Sequence, residues 1–493
     1  MVLFGLCLLL PGSPLVELAT GPAANDAQEL TMYCAAGVRV PVEQIAEQYR
    51  QQYGVTVNIQ YGGSNTLLSQ LEVARQGDLF LAADESYLQL AQQKSLVDEI
   101  LPLARMKPVV AVAKGNPRGI ETLEQLLPLR VAIGNPDQTA IGRTTRALLQ
   151  QAGEWDAFNA TVQQRGVYKP TVGDVANDVS LGSVDAGIIW DAVANQHSNI
   201  DQVQLPEFAA GEALIEVGVL SSSRHPTEAL RFARFLAASD RGQRVFEREG
   251  YSPVSSDPWD ERPQLTVYAG SVNKRVLDSV LESFAEREGV DVNTVYNGCG
   301  ILNAQLESIA AADDLYPDAY VPCDRYYLQE VADRFEGEQD VSSTPIVIVV
   351  AKGNPKNIFT LTDLHREGVR VALGQPDQCT IGVLSRKLLE SEQLYEQVLA
   401  DNVVTQTTSS AFLIAPITVG AADASLAYAT DAMSETSKLD WIPIDSPHAK
   451  AVQQFAISRS TRHKQLAERL RQHLLDSKEI YLKAGFRWEA IAD

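Results

Sequence analysis

LRVAIGNPDQTAIG at residues 129–142 and VRVALGQPDQCTIG at residues 369–382 are two copies of one stretch in a single chain. Each is a β-branched run closed by glycine, then a Pro-Asp-Gln turn, then a small-residue step into a helical pattern. That pattern covers Arg143 to Gln150 in one copy and Val383 to Glu390 in the other. A strand, a tight loop and a helix N-terminus together present free backbone N–H groups, the arrangement that accepts an anion. A long internal repeat has to be weighed before any local motif.

Working outward, the correspondence extends over most of the chain. LTMYCAA at Leu30 answers LTVYAG at Leu265, and GDLFLAADESYLQ answers PDAYVPCDRYYLQ. These matches pair Tyr33 with Tyr268, Tyr61 with Tyr296, Asp84 with Asp324 and Ala113 with Ala351, a separation that drifts by only a few residues. Late in each copy Trp190 faces Tyr428, and FEREGYSPV answers YLKAGFRWE. The expected organisation is a leader or tether at residues 1–28, a first unit at 29–254, a short Pro-bearing linker at 255–264 and a second unit at 265–493. Within each unit strands alternate with helices, which predicts α/β architecture with a parallel sheet covered on both faces.

Composition narrows the partners. The 493 residues carry 63 acidic and 41 basic side chains, a formal charge of −22, with 45% hydrophobic and 21% charged residues. These are the fractions of a folded globular protein, and the length suits two or more domains. Nucleic acid and anionic membrane both demand a basic face and are not expected as partners. A small anion remains compatible, because neutral donors can hold it. There is no G-x-S-x-G, H-E-x-x-H or Walker loop, so no reaction and no cofactor is expected. The N-terminal MVLFGLCLLLPGSPL is too short to span a bilayer and is similar to the apolar region of a secretory signal, although no Lys or Arg precedes it. Export is the expectation; lipid attachment at Cys7, with Leu6 where a small residue is usual, and a disordered leader stand as alternatives.

In their order, these segments resemble the periplasmic substrate-binding component of a molybdate/tungstate ABC transporter. The likeness rests on the opening strand with its small-residue turn, the Gly-Gly-Ser loop before a helix, D-L-F-x-x-A-D, the G-x-P-D turn and the late aromatic followed by x-Ala. It covers residues 29–254 and again 265–488. The resemblance implies two homologous type II periplasmic-binding-protein units, each of two α/β lobes joined by crossing strands with an oxyanion in the cleft between them. It also implies a periplasmic or otherwise extracytoplasmic place, with membrane tethering left open. A small oxyanion ligand and an ABC permease are the implied partners, with no stable membrane span in the mature chain.

Carried over residue by residue, the resemblance puts Gly37 where a Ser hydroxyl is usual, and Ser64 at the second hydroxyl position. Ile141 and Val175 fall at backbone donors, and Trp190 at the late aromatic. In the second unit it puts Ser271 within a residue of the first hydroxyl, Cys299 at the second, Ile381 and Leu413 at the backbone donors, and Tyr428 at the late Tyr. A rival reading of Ser64 is a helix N-cap, and of Trp190 and Tyr428 core burial. Cys299, Cys323 and Cys379 face Ser64, Ala83 and Thr139 of the first unit; a disulfide, a soft-metal thiol cluster and buried unpaired thiols are all open to them. Two other functions remain open: a binding protein for phosphate, a phosphonate or a ferric complex, and a non-transport sensor or scaffold with a degenerate cleft. The first cleft, with Ser64 and no thiol, is expected to be the more conventional oxyanion site.

Overall fold

The computed structural model describes residues 29–310 and 315–490; the leader, with Cys7, lies outside them. The first unit contains strands β1 (Glu29–Ala35), β2 (Thr56–Gly62), β3 (Leu79–Ala82), β4 (Val97–Met106), β5 (Pro108–Ala113), β6 (Val131–Gly134), β7 (Val167–Lys169), β8 (Ala186–Trp190), β9 (Ile200–Val203), β10 (Ala213–Leu220) and β11 (Ser252–Pro253). They form two sheets, one in the order β11-β4-β10-β3-β1-β2 and the other β7-β6-β8-β5-β9. Each sheet is the core of one lobe.

The repeated stretch behaves as its pattern requires. Val131, Ala132 and Ile133 are fully buried in β6, as expected of a strand covered on both faces. Strands β2-β1-β3 and β7-β6-β8 run parallel, with Leu30 opposite Val57 and Val131 opposite Ala186. The remainder of each sheet is antiparallel: β10 against β3 and β4, and β5 against β8 and β9. This corrects the expectation of an all-parallel sheet. The chain passes from lobe to lobe and back, and the crossing strands enter each sheet in the reverse direction. Strand β4 hides in the sequence because it contains Asp98, Glu99 and Pro102. The ladder with β10 slips by one residue beside Pro102, a place where a missing N–H is tolerated.

The second unit repeats the plan with β12 (Gln264–Gly270), β13 (Asp291–Asn297), β14 (Ala319–Val321), β15 (Phe335–Ala351), β16 (Val371–Gly374), β17 (Val403–Thr407), β18 (Ala424–Tyr428), β19 (Leu439–Pro443), β20 (Lys450–Ser458) and β21 (Arg487–Trp488). Here the crossing strand is unbroken. β15 runs through both lobes, whereas the first unit interrupts the same path at Lys107, between β4 and β5. The two lobes are therefore joined in the order β13-β12-β14-β20-β15-β18-β16-β17, with β19 and β21 also on β15. Each unit is thus a type II periplasmic-binding-protein fold. Among the described residues no helix is long and apolar enough to cross a membrane.

Candidate functional site

Three helices start at the seam between the lobes of the first unit. Helix Ser64–Ala74 has Gly63 as its N-cap, with no side-chain cap bond. Ser64 is therefore not the cap. It is buried, and its Oγ accepts the Ala83 N–H at 3.2 Å, which leaves its hydroxyl proton to donate elsewhere. Thr139 caps helix Ala140–Gln151 by accepting the Gly142 N–H at 3.1 Å. Thr171 caps helix Val172–Ser180 by accepting the Asp174 N–H at 3.2 Å. Both caps leave the N–H groups of the first two helical residues without an intrahelical partner.

These helix starts surround a cavity of ≈ 250 Å³ lined by residues 35–37, 62–64, 83, 139–141, 171–172 and 190. No charged side chain lines it. The lobes meet at its edge: a Cβ on Gly63 would lie 2.3 Å from the Gln138 carbonyl oxygen and 3.2 Å from that of Pro170. Only glycine allows this approach. Asn65 Nδ2 donates to the Asp137 carbonyl at 2.7 Å across the same seam.

Gly37, Ser64, Ile141 and Trp190 are brought together around this cavity. Val175 is not. It is the fourth residue of its helix and does not line the cavity; a Cβ on Gly187 would meet its side chain at 2.7 Å, so that side chain packs on β8. Val172 takes the expected place. The signal was in the sequence: Thr171 is a cap-type residue, and the free donors of a helix follow its cap directly.

The second seam has the same frame and different atoms. Cys299 opens helix Cys299–Ser308 after Gly298. Its Sγ accepts the Cys323 N–H at 3.2 Å, the bond that Ser64 takes from Ala83. Cys379 holds the cap position of helix Thr380–Ser391 without a side-chain cap bond, and Ile381 is again the second helical residue. Ser409 Oγ donates to Ser271 Oγ at 3.0 Å across the seam, with Ser271 at the place of Ala36 rather than Gly37. Leu413, like Val175, is displaced from its expected role. Its N–H is already spent on the Ser410 carbonyl at 3.1 Å, and Ser410 stands where Val172 stands in the first unit.

Three buried hydroxyls stand at these helix starts: Thr380 beside the Cys299 and Cys323 thiols, Ser410 beside the Asp431 carboxylate, and Tyr428 without a hydrogen-bond partner. Their first-unit counterparts are Ala140, Val172 and Trp190. Burial and the nearby thiols push the Tyr428 phenol well up, so it stays protonated and can donate. Cys34, Cys299, Cys323 and Cys379 are free and buried. Burial works against a Cys299 thiolate, yet hydrogen bonds from the Cys323 thiol and N–H hold it below the usual thiol range. Cys323 is pushed well above it by that hydrogen bond and by burial. Among the described residues no group of three or more His, Cys, Asp or Glu could hold a metal ion. A larger cavity, ≈ 420 Å³, lies between the units, lined by Arg234, Trp259, His463 and Arg469 among others; it is remote from both seams.

The family described as "Bacterial extracellular solute-binding protein" matches residues 30–252 and again 265–487. A "Putative binding protein" of Haemophilus influenzae is 31% identical over 233 residues, covering 46% of this chain and 93% of its own length. The "Molybdate-binding protein ModA" of Escherichia coli is 25% identical over 254 residues, covering 50% of this chain and 96% of its own. Among solved structures, the periplasmic molybdate-binding protein of Azotobacter vinelandii covers 46% of this chain and 100% of its own at 21% identity, with a TM-score of 0.40.

Proposed function

The chain belongs to the bacterial extracellular solute-binding protein family, twice over, and from that premise we propose that it captures a tetrahedral oxyanion, molybdate or tungstate, outside the cytoplasm for delivery to an ABC permease. The observation that carries this reading is the first cleft, where the Ser64 hydroxyl and the unspent N–H groups of two helix starts converge on a cavity without a charged side chain. Helix N-termini supply partial positive charge to a dianion. A site built of donors holds a fully deprotonated oxyanion, whereas a protonated phosphate brings a hydrogen that finds no acceptor among those donors. The relative named as a molybdate-binding protein supports the choice of ligand.

Calorimetry of the full chain with molybdate, tungstate, sulfate and phosphate tests it. Molybdate and tungstate should bind more tightly than the other two. Ser64→Ala should weaken the first-cleft event by roughly tenfold or more, since a hydrogen bond to a charged group is worth about 1.5–3 kcal/mol. Absence of heat from all four anions overturns the proposal.

A further inference from the structure

The second cleft carries chemistry that the first does not, and its assignment here rests on reading it as a ligand site. Three positions of the shared frame change together: Ser64, Ala83 and Thr139 of the first unit become Cys299, Cys323 and Cys379. Two of these thiols are adjacent. The Cys323 N–H donates to Cys299 Sγ at 3.2 Å, and a Cβ built on Gly270 would lie 2.2 Å from Cys323 Sγ and 2.8 Å from Cys299 Sγ. Both sulfurs therefore crowd one point, from which glycine alone keeps a side chain away. Beside them stand the Thr380 hydroxyl, within hydrogen-bonding reach of both sulfurs, and the buried Tyr428 hydroxyl, which has no hydrogen-bond partner in a folded core where such groups are ordinarily satisfied.

The two features select different parts of one ligand. Paired thiols favour a soft central atom. Hydroxyls beside the thiols favour oxygens attached to it, and a bare soft cation would leave that of Tyr428 unsatisfied. It would also find two sulfurs and no third ligand among the described residues. Hexavalent molybdate offers the oxygens without a centre that exchanges hydroxide for thiol. We propose that the second cleft, in its dithiol form, takes a trivalent oxyacid of arsenite type through Cys299 and Cys323. The step is a condensation. Each sulfur forms one bond to the trivalent centre, each thiol proton leaves with a displaced hydroxide as water, and two waters depart. One hydroxyl stays on the centre, beside Thr380 and Tyr428. Oxidation states are unchanged, so no oxidant or reductant enters. The third thiol, Cys379, hydrogen-bonds instead to the carbonyls of Gln375 and Thr407, each at 3.5 Å, and is not part of the bond.

The test uses the full chain, reduced with a phosphine and kept free of oxygen, with arsenite as the probe. Alkylation followed by peptide mass mapping should show arsenite protecting Cys299 and Cys323 at one equivalent, and native mass spectrometry should show a single adduct. Cys299→Ser and Cys323→Ala should each lower arsenite affinity by at least tenfold, whereas Cys379→Ser should not. Because a cysteine variant can misfold, the protection pattern of the unaltered chain is the primary readout. Ser64→Ala should leave the arsenite adduct unchanged while weakening molybdate binding, so the two readings fail separately. Equal alkylation of both thiols with and without arsenite overturns the proposal, as does an adduct that persists in Cys299→Ser. Retention of copper(I) by the dithiol with no response to arsenite overturns it in favour of a bare cation.

Discussion

Asp431 sits in the helix that follows Tyr428, buried beside the Ser410 hydroxyl. Burial lifts its carboxyl from 3.8 to about 6, against the nearby hydroxyl of Ser410 and the charge of Arg275, which act the other way. The sign follows from proton counting: between those two values the folded chain holds a proton that the unfolded chain has released. Stability contributed by this site therefore falls as pH rises from about 4 to 6, and stays lower above that. Asp431→Asn removes the charge without removing the shape. It should stabilise the second unit by about 2–3 kcal/mol at neutral pH, on the scale of 1.36 kcal/mol per pKa unit, with the gain vanishing below pH 4. Urea denaturation of both proteins at pH 3.5 and 7.5 measures this; an equal gain at both pH values would refute the assignment. At this scale the sequence was least informative. It set Ser64 just before a helix and Tyr428 at the late aromatic position, but an aspartate one turn from a cleft reads the same whether it is buried or wet.

The helix start is the element on which the two units diverge. In the first, Thr139 closes its helix with the bond from Gly142 and also donates to the Asn135 carbonyl at 3.0 Å. In the second, Cys379 occupies the same cap with an extended backbone and makes no side-chain cap bond, the Gly382 N–H going to its carbonyl at 3.0 Å. Sulfur is a weak acceptor, so the first turn of helix Thr380–Ser391 lacks a side-chain partner that its twin possesses. Cys379→Thr should recover it and stabilise the fold by about 1 kcal/mol, the usual worth of such a cap, readable as a rise in the thermal midpoint of the chain. The reverse change, Thr139→Cys, should cost the first unit a similar amount. No shift in either variant would mean that water serves the cap as well as Thr139 does. The repeat made this pair of elements visible at once, since strand, turn and helix follow from the glycine, the Pro-Asp-Gln turn and the apolar spacing. The register of the next helix was harder. Val175 fits the apolar period as well as Val172 does, Leu413 fits it better than Ser410, and only Thr171 and Ser409, read as caps, point to the earlier residue of each pair. The crossing strand β4 was hidden for a related reason: its carboxylates and its proline do not look like a strand, and the partner that tolerates them, β10, lies more than a hundred residues away.

At the scale of the whole molecule the two units are fastened to one another. The stretch after the first unit looks like a linker in sequence, yet its side chains are committed. Asp257 accepts the N–H groups of Gln465 and Leu466 at 2.9 and 3.0 Å at the start of helix Lys464–Asp476. Trp259 donates to the Tyr53 hydroxyl at 2.9 Å and packs edge-on against Phe235. At the centre, Glu288 is buried between Arg234 of the first unit and Arg469 of the second, with contacts of 3.1 and 2.6 Å. Arg287 beside it bridges to Glu99 at 2.7 Å. No local pattern announces Glu288, which sits at the end of an amphipathic helix where a charge is ordinarily solvated. Burial raises its pKa and the two guanidiniums lower it by more, leaving it below the usual carboxylate range; its contribution is therefore present at neutral pH and lost on acidification. Glu288→Gln would leave two buried cations facing each other without the anion between them, a change that costs about 3–5 kcal/mol when a buried pair is broken. Because the loss falls on the junction, it should uncouple the units rather than unfold either one. Scanning calorimetry of the unaltered chain should show one cooperative transition, and the variant should show two, with the oxyanion shifting only the transition of the first unit. If the unaltered chain already melts in two separate steps, the junction does not couple the units, and the clefts act as independent sites on one chain.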